Sequence, residues 1–234
     1  MAHPVIAAAT ASATPADATS HVCALPSGIA VGDLLLAVVV CDGDAAMTWP
    51  AGWTALTNGA GASGTAVRSE ARYRIATGSE GASITITGGN EAWVSRTWRI
   101  TGHNSAAPAC AAATGTSVDT CPPYLGDMAY AMNSLWLVHV AWDGRPACSF
   151  WPNPFAASSR LAEHVSDSGG ASGWVKQLSA GIVRDARGLT PGPCTSVSAA
   201  WRALTISVQP LVSKDAEEAA LKIEQRQAEY GVEA

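Results

Sequence analysis

The chain has 234 residues, of which 48% are apolar and only 14% are charged, and its net charge is −5. A largely neutral surface of this kind is typical of proteins that are partly covered by partners. Three lysines are too few to line a phosphate-binding groove, so we expect no nucleic-acid partner. The chain has no run of ~18 apolar residues and no basic, Leu-rich leader, so we expect no membrane contact and a soluble protein or assembly.

Short apolar or alternating runs, each closed by Gly, Pro or Asp, recur along the chain and predict an antiparallel all-β fold. Residues 102–133 and 143–159 are rich in Ala, Pro, Gly and Asn, and we expect loops there. The sequence therefore predicts a jelly-roll-like β-sandwich over residues 1–212, including an N-terminal arm. We expect its strands near residues 4–10, 20–24, 33–41, 66–76, 82–87, 92–101, 134–142, 160–166, 173–184 and 198–209.

Alternation within the runs predicts which side chains are buried. The run at 66–76 places apolar side chains on one face and four charged ones on the other, which is typical of a strand with one solvated face. The runs at 34–41 and 135–140 are apolar on both faces and predict central strands. We expect one core shared by two sheets and built from Leu34, Leu36, Val38, Tyr73, Ile84, Ile86, Leu137, Leu204 and Ile206.

The composition changes abruptly after Pro210. Residues 213–234 hold nine of the 33 charged residues and no proline, which predicts a short C-terminal helix capped by Ser213. The apolar stripe of this helix is narrow, so we interpret the helix as a contact element anchored by Leu221 and Ile223.

The six cysteines show no CxxC spacing, which argues against a zinc knuckle or a redox motif. Cys23 and Cys41 adjoin apolar residues, and we expect both to be buried thiols. Cys110 and Cys121 bracket a predicted loop. They would form a bridge in an oxidising compartment and remain thiols in a reducing one.

Catalytic or metal-binding patterns such as HExxH, GxSxG and DxDG are missing from the sequence. His139 and Asp143 are four residues apart, but His139 alternates with apolar residues and is expected to be hydrogen-bonded inside the sandwich or at its rim. We therefore expect no enzymatic activity, no catalytic or metal-binding residue and no cofactor.

Tryptophan is enriched, with nine copies against two of phenylalanine. Exposed Trp rings stack on sugars or anchor protein interfaces, whereas buried ones belong to the core. Trp93 and Trp98 are five residues apart in one predicted strand, so we expect at most one of them to be buried. The candidate interface or glycan contacts among the Trp residues are Trp53, Trp93, Trp151 and Trp174.

Four motifs occur in a particular order: Gly32–Leu36 (GDLLL), Trp49–Leu56 (WPAGWTAL), Ala71–Ala76 (ARYRIA) and Ser83–Thr87 (SITIT). This order resembles β-sandwich structural proteins of tailed bacteriophages, in which a GDLL strand leads to a PxGW turn and then to a YRxA strand. The resemblance covers residues 28–101 and the later strand 134–142.

The resemblance implies a non-enzymatic virion protein, in particular a capsid decoration or cement protein. Its implied partners are the major capsid protein or other virion proteins and further copies of itself, in a virion assembled in the host cytoplasm. The alternative is a carbohydrate-binding adhesin or a fibre or tail protein that recognises host glycans through exposed Trp rings.

Overall fold

The computed structural model describes residues 3–14, 16–116, 119–120, 122–126, 132–144, 160–165, 175–195, 199–211 and 222. Over the strands in these ranges the protein is all-β, and the strand pairs are antiparallel. The strands are β1 (Val5–Ala13), β2 (Ala18–Ala24), β3 (Leu34–Asp42), β4 (Thr54–Ser63), β5 (Val67–Ile75), β6 (Ser83–Glu91), β7 (Trp93–Thr101), β8 (Ala109–Gly115), β9 (Asp119–Thr120), β10 (Met132–Asp143), β11 (Arg160–Val165), β12 (Val175–Ala186), β13 (Cys194–Thr195) and β14 (Trp201–Val208).

Two five-stranded sheets form the body of the fold. Sheet 1 has the order β1-β7-β3-β5-β4, and sheet 2 has the order β11-β12-β10-β14-β8. Contacts of β4 with β8 and of β1 with β11 align the two sheets face to face, as in a β-sandwich. Strands β2 and β6 form a separate two-stranded ribbon, and β9 pairs with β13.

The strands of sheet 1 all precede those of sheet 2 in the chain. A jelly roll passes repeatedly between its two sheets, so this strand order differs from the jelly-roll-like path predicted from the sequence. Each of the two five-stranded sheets is therefore built from strands of one continuous part of the chain.

The space between the sheets contains most of the predicted core. Leu34, Leu36 and Val38 of β3 pack with Leu137 of β10 and with Leu204 of β14. Ile206 belongs to the same core, and Tyr73 packs against it from β5. The predicted inward faces of these strands are therefore confirmed.

Ile84 and Ile86 do not belong to the inter-sheet core, so that part of the prediction is wrong. Both lie on the β2–β6 ribbon, where they pack with Cys41 of β3 and with Trp93 of β7. The ribbon covers the outer face of sheet 1 and adds a third layer. All nine residues of β3 are buried because this strand has sheet 2 on one side and the ribbon on the other.

Strands β4 and β8 were not predicted. β4 is rich in Ala, Gly and Thr, and its pairing with β5 is interrupted between Ala55 and Ala60, where Asn58 adopts a φ of 61°. β8 lies in a predicted loop because Ala and Gly have low strand propensity. It forms nevertheless, because its backbone completes the hydrogen-bond ladder at the edge of β14.

The predicted C-terminal helix at 213–234 lies outside the described residues, except for Lys222, which is helical and exposed. Across the ranges that the structure describes, none of the helical residues belongs to a segment long and apolar enough to cross a bilayer.

Candidate functional site

The outer face of sheet 1 carries a buried carboxylate held by four neighbouring residues, which we call the Glu70 clasp: Glu70, Arg68, Arg72, Trp49 and Met47. Glu70 is 2% exposed. Its Oε1 accepts hydrogen bonds from Arg68 Nη2 at 2.8 Å and from Arg68 Nε at 2.9 Å. Its Oε2 accepts from Trp49 Nε1 at 2.9 Å and from Arg72 Nη2 at 3.3 Å, and Met47 N lies 3.5 Å from Oε1.

The clasp fixes the WPAGW turn on the sheet. Gly52 has a φ of 86°, which suits glycine at a tight turn. The Arg72 guanidinium lies 5.2 Å from the Trp49 ring centroid, and its Nη1 donates to the carbonyl of Trp53 at 3.5 Å. The alternation predicted that the charged side chains of β5 lie on a solvated face. The structure covers them partly or fully, and the prediction is wrong for Glu70.

The GDLL motif begins in a turn and continues into β3. Gly32 has a φ of 90°, and Asp33 Oδ2 accepts from Ala30 N at 2.9 Å. The same carboxylate oxygen lies 3.7 Å from Arg99 Nε, and Arg99 also donates to the carbonyl of Gly28. Asp33 thus holds the loop before β3 against β7. Its hydrogen bond and ion pair both serve the turn.

A second group of carboxylates, which we call the carboxylate end, lies where β3, β6 and β10 finish: Asp42, Glu91, Asp143 and Asp17. Asp42 is 5% exposed. Burial, and then the charge of Asp143, raise the pKa of Asp42 to about 7. Burial and the charge of Asp17 also raise the pKa of Glu91, and burial raises that of Asp143. Over the described ranges, no three His, Cys, Asp or Glu side chains are placed to hold a metal ion.

Polar side chains also occur inside the sandwich. They separate the inter-sheet core around Leu36 from a second apolar group around Val40 and Ala141. We call this layer the polar band: His139, Ser179 and Gln177 of sheet 2 and Ser69 of sheet 1. His139 is 1% exposed, and its Nδ1 lies 3.1 Å from the Ser179 hydroxyl oxygen, so the predicted hydrogen-bonded histidine is confirmed.

His139 is neutral at physiological pH. Burial, and then the positive charge of Arg202, lower its pKa to about 3. Arg202 itself extends to the sandwich edge, where its Nη2 donates to the carbonyl of Asn58 at 2.8 Å. The interruption of β4 at Asn58 is therefore held by sheet 2.

Two of the four candidate Trp residues are buried. Trp53 is 5% exposed, and Trp93 is fully buried, with its Nε1 donating to the carbonyl of Ala18 at 2.8 Å. Trp98 is also buried, so the prediction that only one of Trp93 and Trp98 lies in the core is wrong. Each side of β7 is covered, one by sheet 2 and the other by the ribbon. The remaining candidates, Trp151, Trp174, Leu221 and Ile223, lie outside the described residues.

The prediction for Cys23 and Cys41 is confirmed, because both are buried free thiols. Cys110 is a buried free thiol as well, and Cys121 lies outside the described residues. Burial raises the pKa of all three thiols to about 12, so they are protonated and unreactive at neutral pH.

Sequence reasoning missed the Glu70 clasp and the polar band. The Arg68-x-Glu70-x-Arg72 spacing and the nearby Trp-rich turn were the available signal for the clasp. A polar residue at core-facing positions of neighbouring strands was the signal for the band. No protein-family model, curated protein or solved structure matches this chain.

Proposed function

We propose that this chain is a non-enzymatic structural protein of a tailed-bacteriophage virion, and specifically a decoration or cement protein that binds coat subunits. The observation that carries the proposal is the role of the motif residues. Two turns, which contain Asp33, Gly52 and Trp49, are held on sheet 1 by hydrogen bonds and ion pairs. Because these motif residues hold turns in place, they support a structural protein that binds its partners through its surface.

The ribbon supplies a suitable surface. Val22 of β2 and Thr85 and Thr87 of β6 are exposed on the side away from sheet 1, and none of them is charged. A neutral, regular β-surface loses little hydration energy when another subunit covers it. Contacts made only in the assembled shell then stabilise that shell by mass action.

The predicted C-terminal helix at 213–234 belongs to this proposal as the element that reaches an adjacent copy, through Leu221 and Ile223. The β-sandwich presents the coat-binding surface, and the helix adds a contact between neighbouring decoration subunits. Such a division allows several weak contacts to sum to a stable attachment.

The glycan-binding alternative loses two of its four proposed platforms, because Trp53 and Trp93 are buried. It then depends on Trp151 and Trp174. No described feature favours it over the virion role.

The test begins with an antibody raised against the purified chain. We expect it to label particles purified from a culture that produces the chain, at a regular copy number that mass spectrometry of the particles also measures. Absence of the chain from purified particles would overturn the proposal. Binding of the isolated chain to a glycan array, without association with particles, would favour the adhesin instead.

A pair of variants then tests the surface. Thr85→Arg places a charge on the exposed ribbon face, and Ser105→Arg places one in the exposed connection between β7 and β8. On particles that lack the native copy, we expect Thr85→Arg to weaken attachment at least tenfold and Ser105→Arg to leave it unchanged. Equal attachment of both variants would remove the ribbon from the contact.

A further inference from the structure

The polar band contains buried atoms without hydrogen-bond partners among the described residues. They are both amide atoms of Gln177, Nε2 of His139 and the hydroxyl of Ser69. All three side chains are at most 1% exposed. A buried polar atom without a partner costs folding free energy, and native proteins satisfy nearly all such atoms with protein groups or with ordered water.

The strand register brings these atoms toward one place. On sheet 2, His139 is paired with Ser179, and Ala141 is paired with Gln177, so Gln177 and His139 are diagonal neighbours on the same face. On sheet 1, Ser69 is paired with Val40, and Val40 packs across the interface with Ala141. The Ser69 hydroxyl thus lies over the part of sheet 2 that Gln177 and His139 border.

Short side chains and one long cation border the polar tips. Ala141 lies between Gln177 and Arg202 of β14, and Ser179 is paired with His139. Ala71 follows Ser69 on the inner face of β5, and Arg202 Nε is a further buried donor without a partner among the described residues. A water molecule in a protein interior needs a small space and two to four polar partners. The band offers four polar atoms of both donor and acceptor character in a region of small side chains.

We propose that the polar band is a binding site for internal water, with at least one long-lived water held between the Gln177 amide, His139 Nε2 and the Ser69 hydroxyl. Water suits the site because it can both donate and accept, as the amide, the imidazole and the hydroxyl require, and it can accept from Arg202 Nε as well. The nearby Arg202 guanidinium donates to Asn58 at the sandwich edge. The water completes the hydrogen bonding of the band and joins the two sheets where their apolar contact is interrupted.

Oxygen-17 magnetic relaxation dispersion tests the site, because it counts waters that stay in a protein longer than its tumbling time. The test variant is Gln177→Met, which keeps the length of the side chain and removes both polar atoms. The control is Gln209→Met, at a position whose side-chain oxygen accepts from Asn104 near the end of sheet 2. We expect the test variant to lose one or more long-lived waters and the control to lose none.

Melting temperature supplies the second readout. If Gln177 binds water, Gln177→Met leaves the other polar atoms of the band incompletely bonded, and its melting temperature does not rise. An unchanged dispersion amplitude, with or without a higher melting temperature, would overturn the proposal. If Gln177→Met does not fold, Ser69→Ala is measured in its place, with the same expected loss of water signal and the same contrary result.

Discussion

The Glu70 clasp and the carboxylate end both place acidic side chains under cover, but they do so with opposite electrostatics. Glu70 accepts hydrogen bonds from Arg68, Arg72 and Trp49. Asp42 accepts a hydrogen bond from its neighbour Gly43 N at 3.1 Å, and the charges that act on its pKa are those of other carboxylates. The charge of Glu70 is compensated by two arginines, whereas Asp42 has a raised pKa of about 7.

The difference shows that burial alone does not decide how a carboxylate affects stability. Removing one partner of a buried ion pair leaves the other charges uncompensated, which lowers the stability of the fold. A buried carboxyl among like charges favours its protonated form, so its contribution depends on pH. Substitutions that remove the charge should therefore lower the stability of the fold at Glu70 and raise it at Asp42.

The largest effect is expected for Glu70→Gln. This change leaves Arg68 and Arg72 without their shared carboxylate beneath the Trp49 turn. We expect the free energy of unfolding at pH 7 to fall by about 3 kcal/mol, as for other broken buried ion pairs. Urea denaturation measures this value. A loss below about 1 kcal/mol would mean that the clasp behaves as a solvated surface pair.

Asp42→Asn should have the next largest effect, with the opposite sign. Because the pKa of Asp42 is raised from 3.8 to about 7, the folded state holds its proton more tightly than the unfolded state does. The resulting stability is complete below about pH 4 and is lost as the pH rises through about 7. We expect the variant to be more stable than the parent by about 2 kcal/mol at pH 8, and no more stable at pH 4.

Urea denaturation of the Asp42→Asn variant at the two pH values checks this. Asn keeps an oxygen that can accept from Gly43 N, so the turn is preserved. The exposed Asp44→Asn serves as the control and should show no comparable gain. An equal gain at both pH values would attribute the effect to packing instead of ionisation.

Trp49→Phe removes one donor from the clasp and keeps an aromatic ring near Arg72. We expect a loss of about 1 to 2 kcal/mol, the usual contribution of a hydrogen bond to a charged group. A double-mutant cycle with Glu70→Gln measures the coupling. Additive losses would show that the indole does not act through the carboxylate.

Glu91→Gln should have the smallest effect. Burial and the neighbouring acidic charges raise the pKa of Glu91, but the side chain is partly exposed and solvent screens it. We expect a gain of a few tenths of a kcal/mol at pH 8, measured by thermal unfolding. The same Glu-to-Gln change is thus unfavourable at Glu70 and slightly favourable at Glu91. A loss of stability as large as that of Glu70→Gln would instead show that Glu91 accepts a stabilising hydrogen bond or ion pair.

The sequence pattern predicted a strand and its buried face correctly where the residues of that strand alone show the pattern. The alternation of β14 predicted that Leu204 and Ile206 share a face, and the apolar runs predicted β3 and β10 as central strands. It failed for β8, whose Ala-rich sequence has little strand propensity and which is held by its pairing with β14. Gly, Pro and Asp at the ends of the runs indicated where the turns lie, while the donors around Glu70 became visible only in three dimensions.

By itself, the sequence determined the all-β class, most strand positions and the inward faces of the central strands. It also determined the buried state of Cys23 and Cys41 and the hydrogen bonding of His139. Only the tertiary structure decided that the β2–β6 ribbon forms a third layer, so that Trp93 and Glu70 are buried and the core is divided by the polar band. The reason is physical. Periodicity reports which side chains share a face of a strand, whereas burial and charge compensation depend on which distant segment covers that face.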